Sequence, residues 1–189
     1  MSGHKRLIVG ISGASGAAYG VRLLEALKPL GVETHLIMSG PAKTTLEIET
    51  DKSVTDVEAL ADHIHGSRDI AASISSGSFR TAGMLVAPCS IKSLSAIANS
   101  MSSDLISRTA DVTLKERRPL VLMVRETPFH LGHLRLMQRV VETGAVIFPP
   151  VPAFYNRPAT LDEVVTHSVG RALDHLSIDI DGLDRWHGG

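Results

Sequence analysis

Short apolar runs rich in β-branched residues alternate with longer amphipathic segments along the chain. The apolar runs predict five strands, at residues 7–11, 33–38, 84–87, 120–124 and 145–148. The longer segments predict six helices, at residues 17–27, 41–49, 91–100, 104–115, 131–143 and 161–176. Repeated strand–helix units of this kind build a parallel sheet with helices on both faces. We therefore predict an α/β fold with one doubly wound sheet, in which ligands bind at the carboxyl ends of the strands.

The length of 189 residues is typical of a single domain, and no linker or internal repeat divides residues 1–189. Hydrophobic residues make up 43% of the chain and aromatic residues only 4%, which predicts a core of aliphatic side chains. The net charge of −1 provides no bulk attraction for nucleic acids or anionic membranes, so we expect neither as a partner. A binding site for an anion would therefore depend on a few neighbouring residues and not on the overall charge of the chain.

The chain has one cysteine, Cys89, which excludes an internal disulfide and a cysteine-rich metal site. No apolar run approaches the roughly 18 residues that are needed to cross a membrane. The sequence also shows no long apolar segment near its N-terminus. Together these features predict a cytoplasmic location.

A glycine- and serine-rich turn, residues 10–17, joins the first predicted strand to the first predicted helix. Such a turn leaves the first N–H groups of the helix unpaired, and the helix dipole there favours an anion. The spacing differs from the dinucleotide pattern Gly-x-Gly-x-x-Gly, because Ser12 stands at the second glycine and Gly13 and Gly16 follow. Two interpretations stay open: a mononucleotide phosphate site, or a tight strand-to-helix connection.

A second loop, residues 88–95, follows the predicted strand at 84–87 and carries several hydroxyl groups. Pro88 ends the strand and Ser90 is placed to cap the next helix, which offers N–H groups and serine oxygens to an anion or a flavin edge. Ordinary helix capping, with Lys92 on a solvated face, explains the same residues. No histidine stands in an obvious partnership with Cys89, which favours a buried thiol over a nucleophile.

Polar side chains also follow the later strands. Arg125 and Glu126 come directly after the strand at 120–124, where a guanidinium can bind phosphate and a carboxylate can exchange protons. A surface ion pair is the alternative for these two residues.

Tyr155 lies in a proline-dense loop that holds it in one orientation, either toward a ligand or in simple packing. Arg171, in the last predicted helix, is equally compatible with a solvated helical face.

Two further chemistries find little support in the sequence. His130 and His133 stand three residues apart near the start of a predicted helix, but no third metal ligand accompanies them. Ser15 lacks the Gly-x-Ser-x-Gly elbow of a serine hydrolase, and no acid–histidine order stands out. We therefore predict neither a metal site nor a Ser-His-Asp triad.

Seven segments spread over nearly the whole chain together resemble the flavin prenyltransferase family, whose members were once described as aromatic acid decarboxylases. The matching segments are 13–17 (GASGA), 46–51 (LEIETD), 73–79 (SISSGSF), 88–90 (PCS), 110–120 (ADVTLKERRPL), 125–128 (RETP) and 152–155 (PAFY). The broader group of flavin-containing cysteine decarboxylases shares the fold and the early glycine–serine loop, but segments 110–120 and 125–128 favour the prenyltransferases. The resemblance implies a Rossmann-like, flavodoxin-like sheet.

The resemblance also implies a reaction and its partners. Family members join a dimethylallyl group from dimethylallyl phosphate to N5 and C6 of reduced FMN, which forms a fourth ring. The product, prenylated FMN, becomes the cofactor of a UbiD-type decarboxylase that acts on aromatic or α,β-unsaturated acids. The transfer needs no metal, in agreement with the missing acidic magnesium motif. Members assemble as dodecamers with active sites at subunit interfaces, so some residues of this chain are expected to serve a neighbour's site.

The matching positions imply a role for individual residues. The FMN site would comprise Gly13, Ala14, Ser15, Ser39, Cys89, Ser90, Ile91, Lys92, Arg108 and Arg125. The phosphate of the prenyl donor would be bound by Lys115, Arg125, Tyr155 and Arg171. Catalytic roles would fall to Ser15 and Glu126 as a proton relay, to Glu49 as a second acid or base, and to Lys115. Gly40 stands where many relatives carry a basic residue, so the resemblance supports no phosphate contact there.

Two other functions fit parts of the sequence. A flavin-dependent enzyme that decarboxylates its substrate directly would need no prenyl phosphate, and the four-residue phosphate set argues against it. A non-enzymatic carrier that delivers FMN to a decarboxylase would need only the glycine–serine loops. The presence of Glu49, Glu126 and Lys115 disfavours the carrier.

Overall fold

A computed structural model describes residues 5–183 and 185 of the chain. Within them, six parallel strands form one sheet in the order β3-β2-β1-β4-β5-β6. The strands are β1 (Arg6–Ile11), β2 (Glu33–Met38), β3 (His63–His65), β4 (Gly83–Cys89), β5 (Leu120–Val124) and β6 (Val146–Ile147). The helices are α1 (Ala17–Leu27), α2 (Gly40–Glu49), α3 (Val54–Glu58), α4 (Ile91–Ala98), α5 (Leu105–Lys115), α6 (Leu131–Glu142) and α7 (Leu161–Asp174).

All five predicted strands and all six predicted helices are present in the structure. The predicted strands alone lie in the flavodoxin order 2-1-3-4-5, and the unpredicted β3 extends this to the Rossmann order 3-2-1-4-5-6. The predicted doubly wound fold is therefore confirmed. The sequence pattern missed β3 because this strand is three residues long and its central Ile64 is 54% exposed. It also missed the one-turn helix α3.

Aliphatic side chains fill two core layers, one on each face of the sheet. Alternate residues of β1 point to opposite layers, with Leu7 and Val9 on one face and Ile8 on the other. The first layer is completed mainly by α1 and α7, and the second by α4, α5 and α6. This two-sided burial explains why the strands appear in the sequence as continuous apolar runs.

The topological switch point of the sheet lies between the neighbouring strands β1 and β4. From β1 the chain continues to β2 and β3 on one side of the sheet, and from β4 it continues to β5 and β6 on the other side. Gly20 permits the close approach of α1 to this point, because a Cβ there would lie 2.6 Å from the carbonyl oxygen of Ala87. Ligands of doubly wound proteins bind in the crevice at the carboxyl ends of such strands. The loops after β1 and β4 are therefore the first place to search for a site.

None of the described helices combines the length and the apolar character needed to cross a bilayer. The C-terminal helix α7, for comparison, has 14 residues.

Candidate functional site

A cavity of about 310 Å³ opens at the carboxyl ends of β1, β4 and β5. Its volume lies at the lower end of the usual range for small-molecule sites. Its lining consists of Gly13, Ala14, Ser15, Ser39, Pro41, Ser90, Ile91, Lys92, Ser93, Asp104, Arg125 and Glu126. Eight of the ten residues predicted for the FMN site are in this set. Pro41, Ser93 and Asp104 were not predicted by the sequence reasoning.

Ser12 joins the two loops that form the floor of this cavity. Its hydroxyl group donates to the carbonyl oxygen of Pro88 at 3.0 Å and accepts from the N–H of Ser90 at 2.8 Å. The side chain is buried. Sequence reasoning noted Ser12 only as a departure from the dinucleotide pattern, although a polar residue at the end of a buried strand is itself a sign of a required hydrogen bond.

Helices α2, α4 and α5 each begin with a side chain that caps the helix and lines the cavity. Ser39 accepts from the N–H of Ala42 at 3.2 Å, and Ser90 accepts from the N–H of Ser93 at 3.3 Å. Asp104 caps α5 in the same way. Ser90 is thus both a capping residue and a lining residue, so the two interpretations of its loop are compatible. Three helix N-termini contribute positive dipole ends to one opening.

Glu49, at the end of α2, binds the N-terminus of α1. Its carboxylate accepts hydrogen bonds from the N–H groups of Gly16 at 2.8 Å and Ala17 at 3.0 Å. The expectation that the first N–H groups of α1 are unpaired is therefore wrong for these two residues. Partial burial opposes ionisation of Glu49, but hydrogen bonds from Ser15, Gly16 and Ala17 outweigh it and lower the pKa of the carboxyl group.

Arg125 and Glu126 lie at the mouth of the cavity on the carboxyl end of β5. The N–H of Arg125 donates to the carbonyl oxygen of Cys89 at 3.1 Å, and its exposed guanidinium further lowers the pKa of Glu49. The carboxylate of Glu126 accepts from the N–H of Thr127 at 3.0 Å. Among the described residues, Arg125 and Glu126 form no ion pair with each other, so the surface-pair interpretation is wrong.

Cys89 lies beneath the cavity and does not line it. Its side chain is fully buried, and burial raises the pKa of the thiol to about 12. The prediction of a buried thiol instead of a nucleophile is confirmed. A contact between Cys89 and a ligand would have to involve its backbone, because the side chain packs in the second core layer.

Besides Cys89 and Glu49, four predicted site residues lie outside the cavity of their own chain. Arg108 pairs with Asp111 at 3.3 Å, and Lys115 pairs with Glu116 at the end of α5. The hydroxyl of Tyr155 lies 3.5 Å from the Nε2 atom of His167, and Arg171 pairs with Asp174 at 2.8 Å. All four lie on the surface of the chain, half-buried in the case of Arg108 and exposed in the other three. A single chain therefore brings together the predicted FMN loops and one of the predicted phosphate ligands, Arg125.

Comparisons with known proteins agree with this geometry. The family model for Flavoprotein matches residues 1–166. Flavin prenyltransferase UbiX of Escherichia coli (strain K12) is 62% identical over 97% of this chain and 99% of the relative. UbiX of Thauera aromatica is 59% identical over 97% of this chain and 94% of the relative. The chain belongs to the flavin prenyltransferase family.

Solved structures of UbiX and of a UbiX-like protein have the same fold as this chain. A crystal structure of AnUbiX (PadA1) in complex with FMN and dimethylallyl pyrophosphate superimposes with a TM-score of 0.97, at 51% identity, and covers 99% of this chain and 100% of that one. A dodecameric FMN-dependent UbiX-like decarboxylase from Escherichia coli O157:H7 gives a TM-score of 0.95 at 51% identity, over 97% and 100% of the two chains. The predicted family, fold and flavoprotein character are thus confirmed.

Proposed function

We propose that this chain transfers a dimethylallyl group from dimethylallyl phosphate to N5 and C6 of reduced FMN. The observation that carries the proposal is the cavity at the switch point, which is lined by Ser15, Arg125 and Glu126, while Glu49, outside the lining, is hydrogen-bonded to Ser15. These are the proton-transfer and phosphate-binding groups that the family resemblance requires. Family membership supplies the reaction, and this arrangement supports its location.

The residues of the cavity suit an FMN molecule. A Cβ at Gly13 would lie 2.4 Å from the Cβ of Pro41, so glycine keeps the loop after β1 close to the start of α2. The N-termini of α2 and α4, together with the exposed Lys92, place positive potential where a phosphate group would bind. Reduced FMN would supply the nucleophilic N5 and C6 atoms and a π-face for the prenyl group.

The side chains around the opening divide into phosphate-binding and proton-transferring groups. Arg125 presents a planar cationic fork, which stabilises the negative charge that grows on a departing phosphate. The Ser15 hydroxyl donates to Glu49, whose carboxylate is kept ionised and therefore orients that hydroxyl group. Glu126 also lines the opening and provides a second acid or base.

The remaining phosphate ligands are proposed to come from neighbouring subunits. Lys115, Tyr155 and Arg171 are exposed, and none of them lines the cavity of its own chain. Helix α6 exposes Leu131, Leu134 and Val141 by 59, 50 and 54%, as expected for a helix that is covered in an assembly. The dodecameric relative supports a homo-oligomer of this kind. Arg108 would then reach the flavin across the same interface.

The product would leave the site as a cofactor for another protein. Prenylated FMN made here would be delivered to a UbiD-type decarboxylase, and both proteins would act in the cytoplasm.

The test is anaerobic incubation of the purified protein with reduced FMN and dimethylallyl phosphate, followed by mass and absorbance analysis of the released flavin. The proposal predicts a flavin heavier by one C5H8 unit, formed without added metal and in the presence of a chelator. Unmodified FMN that stays tightly bound would instead indicate a carrier. Loss of carbon dioxide from an aromatic acid, without dimethylallyl phosphate, would indicate direct decarboxylation.

A further inference from the structure

Three histidines and one glutamate lie together at the β2–β3 edge of the sheet. Glu33 and His35 belong to β2, and His63 and His65 belong to β3, with His35 opposite His63 in the parallel register. None of the four lines the cavity at the switch point, and prenyl transfer makes no use of them. The cluster therefore needs an explanation of its own.

Three of these residues bring one potential zinc-ligand atom each close to the other two. The Oε1 atom of Glu33 lies 3.1 Å from the Nε2 atom of His35 and 3.3 Å from the Nε2 atom of His63. One ligand atom of each residue lies within 4.8 Å of the other two. A tetrahedral Zn²⁺ ion with bonds of 2.0–2.1 Å holds its ligands roughly 3.3 Å apart. Three protein ligands leave the fourth position to water.

Neighbouring residues hold the three ligand side chains in position by hydrogen bonds, as residues next to the ligands do in known metal sites. The Nδ1 atom of His35 lies 3.0 Å from the Nε2 atom of His65, a hydrogen bond that fixes the ring with its Nε2 atom toward Glu33. Arg6 donates to the Oε2 atom of Glu33 at 3.0 Å, which leaves the Oε1 atom facing the imidazoles. The rings of His35 and His63 are stacked with their centroids 4.6 Å apart, so the half-exposed His63 ring would turn to direct its Nε2 atom at a shared ion.

Charge and access favour a cation at this position. The positive charge of Arg6 is offset by Glu33 itself and by Asp62, whose carboxylate is close enough to interact with His35 and His63. Glu33, Asp62 and His63 border a surface cleft of about 420 Å³. An ion from solvent would reach the cluster through this cleft, whereas His35 lies buried behind it.

We propose that Glu33, His35 and His63 bind one Zn²⁺ ion, which ties the edge strand β3 to β2. Two imidazoles and one carboxylate suit Zn²⁺, whereas Mg²⁺ and Ca²⁺ prefer sets of oxygen ligands. Strand β3 is three residues long and pairs with β2 alone, so a bridge between the two strands would reinforce a short ladder. The ion would act in the structure and have no part in the metal-independent prenyl transfer.

The experiment uses the full-length protein in its native assembly, first stripped with a chelator and dialysed. Zn²⁺ is added in a calorimetric titration, and Co²⁺ in a parallel titration followed by visible absorbance. We expect one tight site per chain, a tetrahedral Co²⁺ spectrum, and a rise in Tm with Zn²⁺ but not with Mg²⁺. His63→Ala should weaken Zn²⁺ binding by at least about tenfold and abolish the rise in Tm.

Two controls separate the zinc site from other effects. His175→Gln removes an exposed histidine on another surface and should leave Zn²⁺ binding unchanged, whereas Glu33→Gln should weaken it as His63→Ala does. Because His63 is half exposed, its replacement should preserve the fold and the rate of prenyl transfer. Equal Zn²⁺ binding by the wild type and His63→Ala, or no tight binding by the wild type, would overturn the proposal and leave a purely hydrogen-bonded cluster.

Discussion

The hydroxyl oxygen of Ser12 lies 2.8 Å from the backbone nitrogen of Ser90, a residue 78 positions later in the sequence. Through this hydrogen bond, and through a second one to Pro88, a single buried side chain sets the distance between the loops after β1 and β4. These loops form the floor of the proposed FMN site. The shape of that site therefore depends on a residue that does not line it.

Replacement of Ser12 by alanine should leave the N–H of Ser90 buried without its partner. We expect a loss of about 1–3 kcal/mol in the free energy of unfolding and weaker FMN binding. Urea denaturation and a fluorescence titration with FMN would measure the two effects. Ser102→Ala, at an exposed serine, is the matched control. Unchanged FMN affinity in Ser12→Ala would show that the loops keep their distance without this hydrogen bond.

Glu49 should make stability depend on pH in the acidic range. Its pKa is lower in the folded chain than the ordinary value of 4.5, so its stabilising effect is complete above that value. The effect should disappear as the pH falls through the folded-state pKa, because protonation weakens the hydrogen bonds from Gly16 and Ala17. Unfolding free energies of the wild type and Glu49→Gln should therefore converge toward low pH. Curves that stay parallel from pH 7 into this range would contradict the assignment.

Glu126→Gln should slow the formation of prenylated FMN by about 10²- to 10⁴-fold, because the amide cannot exchange a proton as the carboxylate does. FMN affinity should change little, since the amide fills the same space at the mouth of the cavity. Single-turnover assays with a separate binding titration would distinguish the two quantities. Glu47→Gln, on the exposed face of α2, should behave as the wild type. An undiminished rate in Glu126→Gln would remove this residue from the proton relay.

Mixed assemblies should reveal sites that are shared between subunits. Lys115→Ala and Glu126→Gln should each be nearly inactive alone, because one removes a phosphate ligand and the other a proton-transfer group. If Lys115 serves a neighbour's cavity, co-assembled variants should regain activity at interfaces that combine an intact Lys115 with an intact Glu126. The measurement compares co-expressed variants with a mixture of separately assembled ones. Absence of recovery in the co-expressed sample would place both residues in one chain's site.

Two leucines of helix α7 test whether burial in the core layer stabilises the fold. Leu173 is fully buried in the first core layer, whereas Leu161 on the same helix is 77% exposed. Leu173→Ala should lower the free energy of unfolding by about 2–5 kcal/mol, and Leu161→Ala by far less. Denaturant unfolding of the two variants measures the difference. Similar losses would mean that Leu161 is buried in the assembled protein.

The sequence pattern located the buried strands well and the peripheral elements less well. Strands β1 and β4 are buried on both faces, so their apolar runs are unambiguous, whereas β3 owes its position to pairing with β2 and has an exposed Ile64. Hydrogen bonding to a distant segment leaves no periodic signal in a sequence. The pattern overextended the two-residue β6 for the same reason, and it missed α3 because five residues are too few to show helical periodicity.

The site was predicted in part. Residues within one loop, such as Gly13 and Ser90, could be assigned because local turn and capping chemistry is visible in the sequence. The role of Ser12 depends on a contact across 78 positions, and that of Glu49 on a contact with α1 across 33 positions. Lys115, Tyr155 and Arg171 lie outside the cavity, and their proposed role depends on contacts between subunits, which leave no pattern in one sequence.

The burial of Cys89 has a consequence for the lifetime of the protein. Reduced flavins react with molecular oxygen and release hydrogen peroxide, which oxidises thiolates far faster than thiols. Cys89 lies directly beneath the proposed flavin position, yet a pKa of about 12 keeps its sulfur protonated and its side chain has no exposed surface. A flavoprotein built in this way should survive repeated exposure to air in its reduced state without sulfenic acid formation at its one cysteine.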